Sequence, residues 1–562
     1  MNPFLRWRRP HFATLEDAQL EGFEMDFSRL FGTPIAESSR PVTLGRGTIG
    51  AIILLACCAI PLRSPLLHGQ DPTTTEDTTP HSDDSQKSAS AEELAALVAA
   101  KLQSIPDPRT LTRDDLPAIF LILDEGIAAG RNYIAHHADS PEFPTVACDL
   151  GRMLILNVDR HLGELNEEAK IFGAPLTAQQ RLDEQLIYLD EVVRNIERAL
   201  AAKISPALRC RAEVILGDCL LKTRSASKSA DAFGRALQLD TSLEDADEIR
   251  IKQIEALEIA ERYEEMMTAG NLALKDHPRT QFLPHLVYFT HKAHRHLGIL
   301  RQGRDLWRTW GPVLEAGALG GEISLPNSDQ KWQVPAGKES DFRLMADRSG
   351  FYEGFFQLAM GEKEAALQAL LSFNEKLAER INSGETISMA TKTYLDFQSL
   401  PMSHRIDVLH GKPAPSLAGL SWIQAPPEND PGKKMELRLF CDSSRATSRQ
   451  SRFISLLKKL EMEYSAAGLR VVWISSVLRS PRAQTEAAAM TAIAVENRLG
   501  WAYGVQPGIE AGVVERHLGS HGGTLLLAID DEGLLQWEMI DPMFWDEGLF
   551  RSIITRLLHN AE

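Results

Sequence analysis

The side chains with the clearest chemical potential in this sequence are its thiols, six among 562 residues. So few cysteines exclude a fold built on disulfides. Cys441 directly follows the apolar run of residues 437–440, which predicts a buried strand. A thiol becomes nucleophilic where a helix N-terminus or a nearby cation lowers its pKa, and Arg445 follows four residues later. Cys441 is therefore the candidate nucleophile.

Cys210 and Cys219 lie in a stretch with the periodicity of a helix. On one continuous helix their spacing would place them about 13 Å apart along the axis. That distance excludes a disulfide, and we expect both residues to pack as small apolar side chains.

Four histidines crowd one predicted helical stretch, at positions 285, 291, 294 and 296. His291 and His294 share a helix face, as two metal ligands would. The flanking residues Lys292 and Arg295 would repel a cation, and a metal site also needs a third ligand. The pattern favours a solvated basic helix face, so we expect no metal and no cofactor.

Other chemistries leave no pattern in the sequence. There is no P-loop, no glycine-rich dinucleotide motif, no His-Glu-x-x-His and no Gly-x-Ser-x-Gly. A formal net charge of −17 argues against nucleic acid as a partner. A hydrophobic content of 44% and a charged content of 24% are typical of a soluble chain. The length predicts about two to four domains.

The elements that would position Cys441 form an α/β pattern over residues 410–562. After the strand at 437–440 come a helix at 446–467, a strand at 469–475 and a helix at 481–499. A strand at 524–530, a turn at 531–533 and an antiparallel strand at 534–540 follow, and a helix at 546–559 ends the pattern.

This order and its motifs resemble the thioredoxin-like fold. The closest branch is the redoxin group, which holds membrane-tethered thiol–disulfide oxidoreductases and the alkyl hydroperoxide reductase/thiol-specific antioxidant proteins. Three segments carry the resemblance: GKPAP at 411–415, GLRVVWIS at 468–475 and IDDEG at 529–533. The resemblance extends over residues 410–562, just over a quarter of the chain.

The resemblance implies two features of a redox site, and this sequence lacks both. The family places Cys-x-x-Cys at the start of the first helix, where the chain has Arg445 and Ser448. It places a cis-proline just before the strand of the hairpin, where the chain has Gly523 and Thr524. No thiol pair is available there to form or reduce a disulfide.

Residues 93–400 show helical periodicity, and one segment resembles a tetratricopeptide repeat. In residues 212–241, Gly217 and Ser229 would let two antiparallel helices approach closely. Leu216, Leu220 and Phe233 would fill the gap between the helices. The resemblance implies a curved helical scaffold with a binding face. An ordinary helical bundle is the alternative.

Further repeat units are degenerate. Residues 247–278 keep only Ala273 and Pro278, with a spacing of 37 residues from Ala236 to Ala273 where the family has 34. Gly354 and Gly361 mark a third unit. Residues 315–342 interrupt the helices and read as an insertion or long loop with one short strand around Trp332.

Residues 47–62 form an uncharged apolar run between Arg46 and Arg63. The run is short for a transmembrane helix and fits the apolar core of a secretory signal, whereas a buried core helix is the alternative. We expect residues 1–46 to be a leader or cytoplasmic segment and residues 47–70 a signal or anchor. Cys57 ends a sequence like a lipobox, whereas cleavage near Gln70 would release a soluble protein. Met25 is an alternative start.

Residues 71–92 are rich in Thr, Ser and Asp and almost free of apolar side chains, so we expect a disordered linker. The chain thus reads as an exported helical-repeat region followed by an α/β thioredoxin-like domain. Its predicted location is the cell envelope or periplasm, either anchored or secreted, with membrane contact through the N-terminal segment only.

Two functions fit these observations. The first is a non-catalytic scaffold whose degenerate, redox-inactive domain helps to bind other proteins or extended peptides. The second is a thiol–disulfide oxidoreductase or peroxiredoxin-like enzyme that uses the single residue Cys441. The missing thiol pair favours the first.

Overall fold

A computed structural model of the chain describes residues 90–106, 115–171, 173–239, 245–326, 331–414, 416–427, 432–441, 443, 451–477, 480–507, 524–540 and 546–560. The chain divides into two compact units, Met1–Ala202 and Lys203–Glu562. In the described part of the chain, no helix is both long and apolar enough to cross a membrane. Residues 1–46, residues 47–70 with Cys57, and residues 71–89 of the predicted linker lie outside the described residues. The end of that linker was placed too late, because Ser90 caps the first helix and Ala91 and Glu92 belong to it.

The first unit consists of helices, namely α1 (Ala91–Gln103), α2 (Leu116–His137), α3 (Phe143–Ile171) and α4 (Ala178–Ala201). Helix α1 packs on α2 and α3, and α4 packs along α3. Two of these helices begin with a capping box, in which a hydroxyl and a side chain three residues later satisfy free backbone N–H groups.

The second unit begins with four helical hairpins. Their helices are α5 (Pro206–Lys222) and α6 (Ala226–Leu239), α7 (Ala246–Ile259) and α8 (Tyr263–Asp276), α9 (Leu283–Leu297) and α10 (Leu300–Ala318), and α11 (Glu339–Ala359) and α12 (Lys363–Asn382). Each hairpin packs on the next, so the hairpins form a stack.

The turns inside the four hairpins share one backbone conformation. Each contains a residue with left-handed φ, from +57° to +82°: Arg224, Glu261, Gly298 and Gly361. The N–H of the following residue donates to the carbonyl five residues back in every case. The first three of these residues are spaced 37 apart. The hairpins therefore repeat structurally, although few side chains repeat with them.

Close packing in the first hairpin confirms the predicted roles of its small residues. A Cβ on Gly217 would lie 2.6 Å from the ring of Phe233. The hydroxyl of Ser229 donates to the carbonyl of Gly217 at 2.8 Å. Leu216 and Leu220 are buried beside them. As expected, Cys210 and Cys219 are buried, and the described cysteines form no disulfide.

The third hairpin, α9–α10, was not predicted as a repeat unit. Its close contact is made between hairpins, because Gly303 of α10 packs on the ring of Phe356 in α11. The glycines of α10 thus pack on α11 of the next hairpin and not on α9 of their own hairpin. In the fourth hairpin Gly354 packs on Leu370 as a repeat unit requires.

The predicted insertion between the third and fourth hairpins is a β-hairpin. Strands β1 (Glu322–Ser324) and β2 (Lys331–Gln333) pair antiparallel, with Ile323 opposite Trp332. Helix α13 (Met389–Tyr394), a π-helical turn (Leu395–Ser399) and helix α14 (Leu400–Val408) follow the hairpins and pack on α11 and α12.

The C-terminal region is a six-stranded mixed sheet with helices. Its elements are β3 (Ser421–Gln424), β4 (Met435–Phe440), α15 (Ser451–Tyr464), β5 (Leu469–Val477), α16 (Ser480–Asn497), β6 (Ala502–Pro507), β7 (Leu525–Ile529), β8 (Leu535–Ile540) and α17 (Glu547–Asn560). The strand order is β3-β6-β5-β4-β7-β8. Strands β4, β5 and β6 run parallel, and the other pairings are antiparallel.

The predicted strands and helices of this region are confirmed where the structure describes them, within a few residues at each end. Strands β3 and β6 were missed. Strand β3 is a short, largely exposed edge strand, so it lacks an apolar pattern. Strand β6 holds Gly504 and ends at Pro507, two residue types that oppose a strand prediction.

The C-terminal region is fixed to the hairpins by a carboxylate that is almost fully buried. Asp546, 1% exposed, precedes α17 and forms an ion pair with Arg295 at the end of α9. His296 Nε2 lies 2.8 Å from its other oxygen. Burial by itself would raise the pKa of Asp546, but the charge of Arg295 and the bond to His296 outweigh it and hold that pKa below its ordinary value.

A second buried carboxylate joins the sheet to helix α14, which packs on α12 of the fourth hairpin. Glu538 of β8 is 0% exposed and accepts from Nε of Arg405, in α14, at 2.7 and 2.9 Å. His410 lies 3.7 Å away. Burial opposes its charge, but Arg405 and His410 again hold the pKa of Glu538 below its ordinary value. Each carboxylate therefore stays ionised between the two parts.

Helix α17 also caps the ends of two hairpin helices. The Ser552 hydroxyl donates to the Gly298 carbonyl at 2.8 Å, and Arg556 Nε donates to the Ala359 carbonyl at 3.2 Å. These are carbonyls that a helix C-terminus leaves without an intrahelical partner. Gly548 lies directly against the backbone of residues 296–298, where no Cβ fits.

We predict that Gly548→Ala destabilises the chain by about 1–3 kcal/mol, because the new methyl group would overlap the backbone of α9. Helix propensity alone would make Gly548→Ala more stable by about 1 kcal/mol. A loss of stability would therefore come from the overlap with α9. Chemical denaturation measures it. The matched control is Gly234→Ala in α6, whose new Cβ would meet only the flexible end of Gln253. Equal stability for Gly548→Ala and the wild type would contradict the contact.

We also predict acid sensitivity with a defined sign. Asp546 and Glu538 have lowered pKa values, so their contribution is complete above their unfolded values near 4 and is lost as pH falls through the lowered native values. The part of the free energy of unfolding that these two carboxylates contribute should stay constant from pH 7 to about 5 and fall below about 4. Asp546→Asn should be less stable at pH 7 and show a shallower fall. An identical pH profile for the two proteins would refute this account.

Candidate functional site

The candidate site lies at the carboxyl edge of the parallel strands, where open α/β sheets commonly bind ligands. Cys441 directly follows β4, and Ser475 lies near the end of β5. The N–H of Cys441 donates to the Ile474 carbonyl at 3.0 Å, which extends the pairing of β4 with β5 by one residue. Cys441 and Ser475 are therefore neighbours on one face of the sheet.

Cys441 is held as a packing residue. It is 6% exposed, and the indole N–H of Trp473 donates to its carbonyl at 2.9 Å. Both backbone groups are thus paired with β5. A reactive cysteine needs access to its substrate and an electropositive surrounding. The structure provides little access at this position.

A carboxylate collects the hydrogen-bond donors beside Cys441. Glu486, in α16, accepts from the Ser443 N–H and the Ser443 hydroxyl, both at 2.6 Å. The Ser475 hydroxyl also donates to it, at 2.5 Å. Hydroxyl-to-carboxylate bonds of this length are charge-assisted and strong. An internal anion therefore occupies this edge of the sheet.

The predicted site residues divide into two groups. Thr524 is buried and directly precedes β7, whose Leu525 pairs with Phe440, so the chain places Thr524 beside Cys441. Arg445, Ser448 and Gly523 lie outside the described residues.

The Glu486 cluster was missed by the sequence analysis. Ser443, Ser475 and Glu486 are 11 to 43 positions apart, and none belongs to a recognised motif. Only the pairing of β4 with β5 and the packing of α16 bring them together. A signal was present in the two serines at 475–476, since polar residues at the carboxyl end of a buried parallel strand often face a site.

The expected solvated histidine face is wrong. His291 and His294 are buried in the hairpin stack, and the indole N–H of Trp307 donates to His291 Nδ1 at 2.8 Å. Burial lowers the pKa of His294 to about 4 and that of His291 well below its ordinary value. Helix α9 packs against α7, α8, α10 and α11, so little of its surface is left for solvent.

The cations that flank these histidines serve ion pairs. Lys292 pairs with Glu258 of α7, and Arg295 pairs with Asp546. Within the described ranges, no group of three or more His, Cys, Asp or Glu side chains could hold a metal ion.

A second candidate surface is the face shared by the first helices of the hairpins, α5, α7 and α9. Lys252 of α7 pairs with Asp218 of α5 at 2.9 Å, and Lys292 of α9 pairs with Glu258 of α7. We call this the ladder face. Glu255 lies between the two cross-helix pairs, and burial, followed by the charge of Glu258, raises its pKa to about 7.

No family model matches the chain, and no curated protein matches it. The carboxyl edge of the sheet and the ladder face are therefore the two candidate sites.

Proposed function

We propose that the protein is a non-catalytic interaction scaffold. In this proposal the hairpins are degenerate tetratricopeptide-like repeats, and the C-terminal region is a thioredoxin-like domain that has lost its redox chemistry. Its partners would be other proteins or extended peptides.

The repeat assignment is supported by how the hairpins pack. Gly217, Ser229 and Phe233 make the close helix–helix contact that the sequence pattern requires. All four turns share one backbone conformation and one hydrogen-bond pattern. A stack of such hairpins is an established way to build an extended protein-binding surface.

The thioredoxin-like assignment is supported by the order of elements. After β4 the described chain runs through helix α15, β5, helix α16, β6, the antiparallel pair β7–β8 and helix α17, and apart from β6 this is the order that the resemblance implies. Strands β3 and β6 extend the sheet on one side.

The observation that carries the proposal is the environment of Cys441, the candidate nucleophile. Cys441 is buried, and the donors beside it already hold the carboxylate of Glu486. A reactive thiolate needs positive potential, whereas a second anion at the same edge opposes it. Binding without thiol chemistry therefore fits the geometry better than an enzyme that uses Cys441.

The ladder face is the surface we assign to partners. Its cross-helix ion pairs hold three hairpins in register, while Glu255 makes no ion pair with another described residue. With a pKa of about 7, the half-buried carboxyl group of Glu255 suits a basic or hydrogen-bonding group on a partner, and a basic group would favour its ionised form.

The proposed location is the cell envelope, with residues 47–70 as the export or anchor segment and Cys57 as the candidate lipidated residue. This part of the proposal rests on sequence alone. Changing Cys57 and Cys58 together and following membrane fractionation tests the lipid anchor.

We predict that purified wild type neither reduces insulin disulfides nor consumes peroxide above background, and that Cys441→Ser behaves identically. The reason is the buried thiol and its missing resolving partner. Turnover in the wild type that is lost in Cys441→Ser would overturn the scaffold proposal and establish the enzyme.

We predict that the immobilised full-length chain captures a reproducible set of proteins from the envelope fraction, and that Cys441→Ser captures the same set. Glu255→Arg should lose members of that set, because it replaces a carboxyl group whose pKa is about 7 with a fixed positive charge and breaks no ion pair of the described residues. Glu264→Arg, on the exposed surface of α8, is the matched control. Capture unaffected by Glu255→Arg would remove the ladder face from the proposal.

A further inference from the structure

We infer that the carboxyl edge of β4 and β5 is an oxyanion-binding site, which the chain fills with its own Glu486 until the carboxylate or phosphate group of a ligand replaces it. This inference deepens the proposed function and depends on it only for the existence of a partner.

The donors form a built site. Ser475 is 0% exposed and Ser443 is 7% exposed, and each points a hydroxyl at the same carboxylate. The third donor is the backbone N–H of Ser443. Three donors within 2.6 Å of one carboxylate match the needs of an oxyanion, which has several lone pairs and no hydrogen to donate.

Ser475 and Glu486 differ in how firmly they are held. Ser475 belongs to β5, which is paired on both sides by β4 and β6. Glu486 reaches the site from α16 by a flexible side chain and is half-buried. Water can solvate the Glu486 carboxylate when its side chain turns outward, whereas the serine donors would then be left buried without hydrogen-bond partners, which is unfavourable. Exchange is therefore favoured only when another oxyanion takes the place of Glu486.

The position agrees with ligand binding. The carboxyl ends of adjacent parallel strands form the crevice at which open α/β sheets bind ligands, and backbone N–H groups there often hold anions.

The test is isothermal titration of the purified full-length chain with inorganic phosphate at low ionic strength. We expect the wild type to bind phosphate weakly but saturably. Glu486→Ala should bind phosphate about tenfold more tightly, because the competing Glu486 carboxylate is removed. The double variant Ser475→Ala/Glu486→Ala should lose the gain. Glu496→Ala, exposed on the same helix, makes the same change in net charge and should leave affinity unchanged.

A second arm separates the two sources of the oxyanion. An N-acetylated tri-alanine peptide with a free C-terminal carboxylate is compared with its C-terminal amide on the same variants. Binding of the free acid together with phosphate assigns the site to a partner's carboxylate, and binding of phosphate alone assigns it to a phosphate group.

The inference is overturned if the wild type shows no saturable binding of either probe, or if Glu486→Ala, folded by circular dichroism, binds neither more tightly. Glu486→Gln provides the check on folding, since it keeps the side-chain shape and should also bind phosphate more tightly than the wild type. No partner protein enters this titration. Its failure would therefore leave the capture experiment intact, and failed capture would not explain a failed titration.

Discussion

The ion pair between Asp546 and Arg295 is the constraint on which the architecture of the second unit depends. A carboxylate removed from water is tolerated only where a fixed cation and hydrogen bonds replace its solvation. Arg295 and His296 come from the end of α9, so the start of α17 has one place where its carboxylate can be ionised and buried. The same solution recurs at Glu538 with Arg405 and His410. The sheet is thereby held in a defined position on the hairpins.

That fixed position explains which turns contain glycine. The four hairpin turns share one left-handed residue, but the two that α17 covers use Gly298 and Gly361, whereas the other two use Arg224 and Glu261. Glycine relieves the cost of left-handed φ, and here it also leaves room for the backbone and side chains of α17. The two turns that α17 covers therefore need glycine for space as well as for backbone conformation.

The same rigidity bears on function. A scaffold presents partners with surfaces in a constant arrangement, and the ladder face and the carboxyl edge of the sheet belong to one compact unit. Charge decides what each surface can accept. Under the proposed function, the carboxyl group of Glu255 on the ladder face would accept a basic group, while Ser443 and Ser475 at the sheet edge would donate to an acidic one. Partners with separated basic and acidic features would use both surfaces.

Most of the local structure could be predicted from the order of residues along the chain. Helical periodicity, the apolar runs at 437–440 and 469–475 and the turn at 531–533 predicted elements that the structure contains, because each depends on residues close together in the chain. The missing thiol pair was equally visible. Four features follow only from tertiary packing: the burial of His291, the third hairpin, the pairing of Asp546 with Arg295 and the Glu486 cluster. Each joins residues whose separation, up to 251 positions, carries no periodic signal, and their charges and hydrogen bonds acquire meaning only when packing removes water around them.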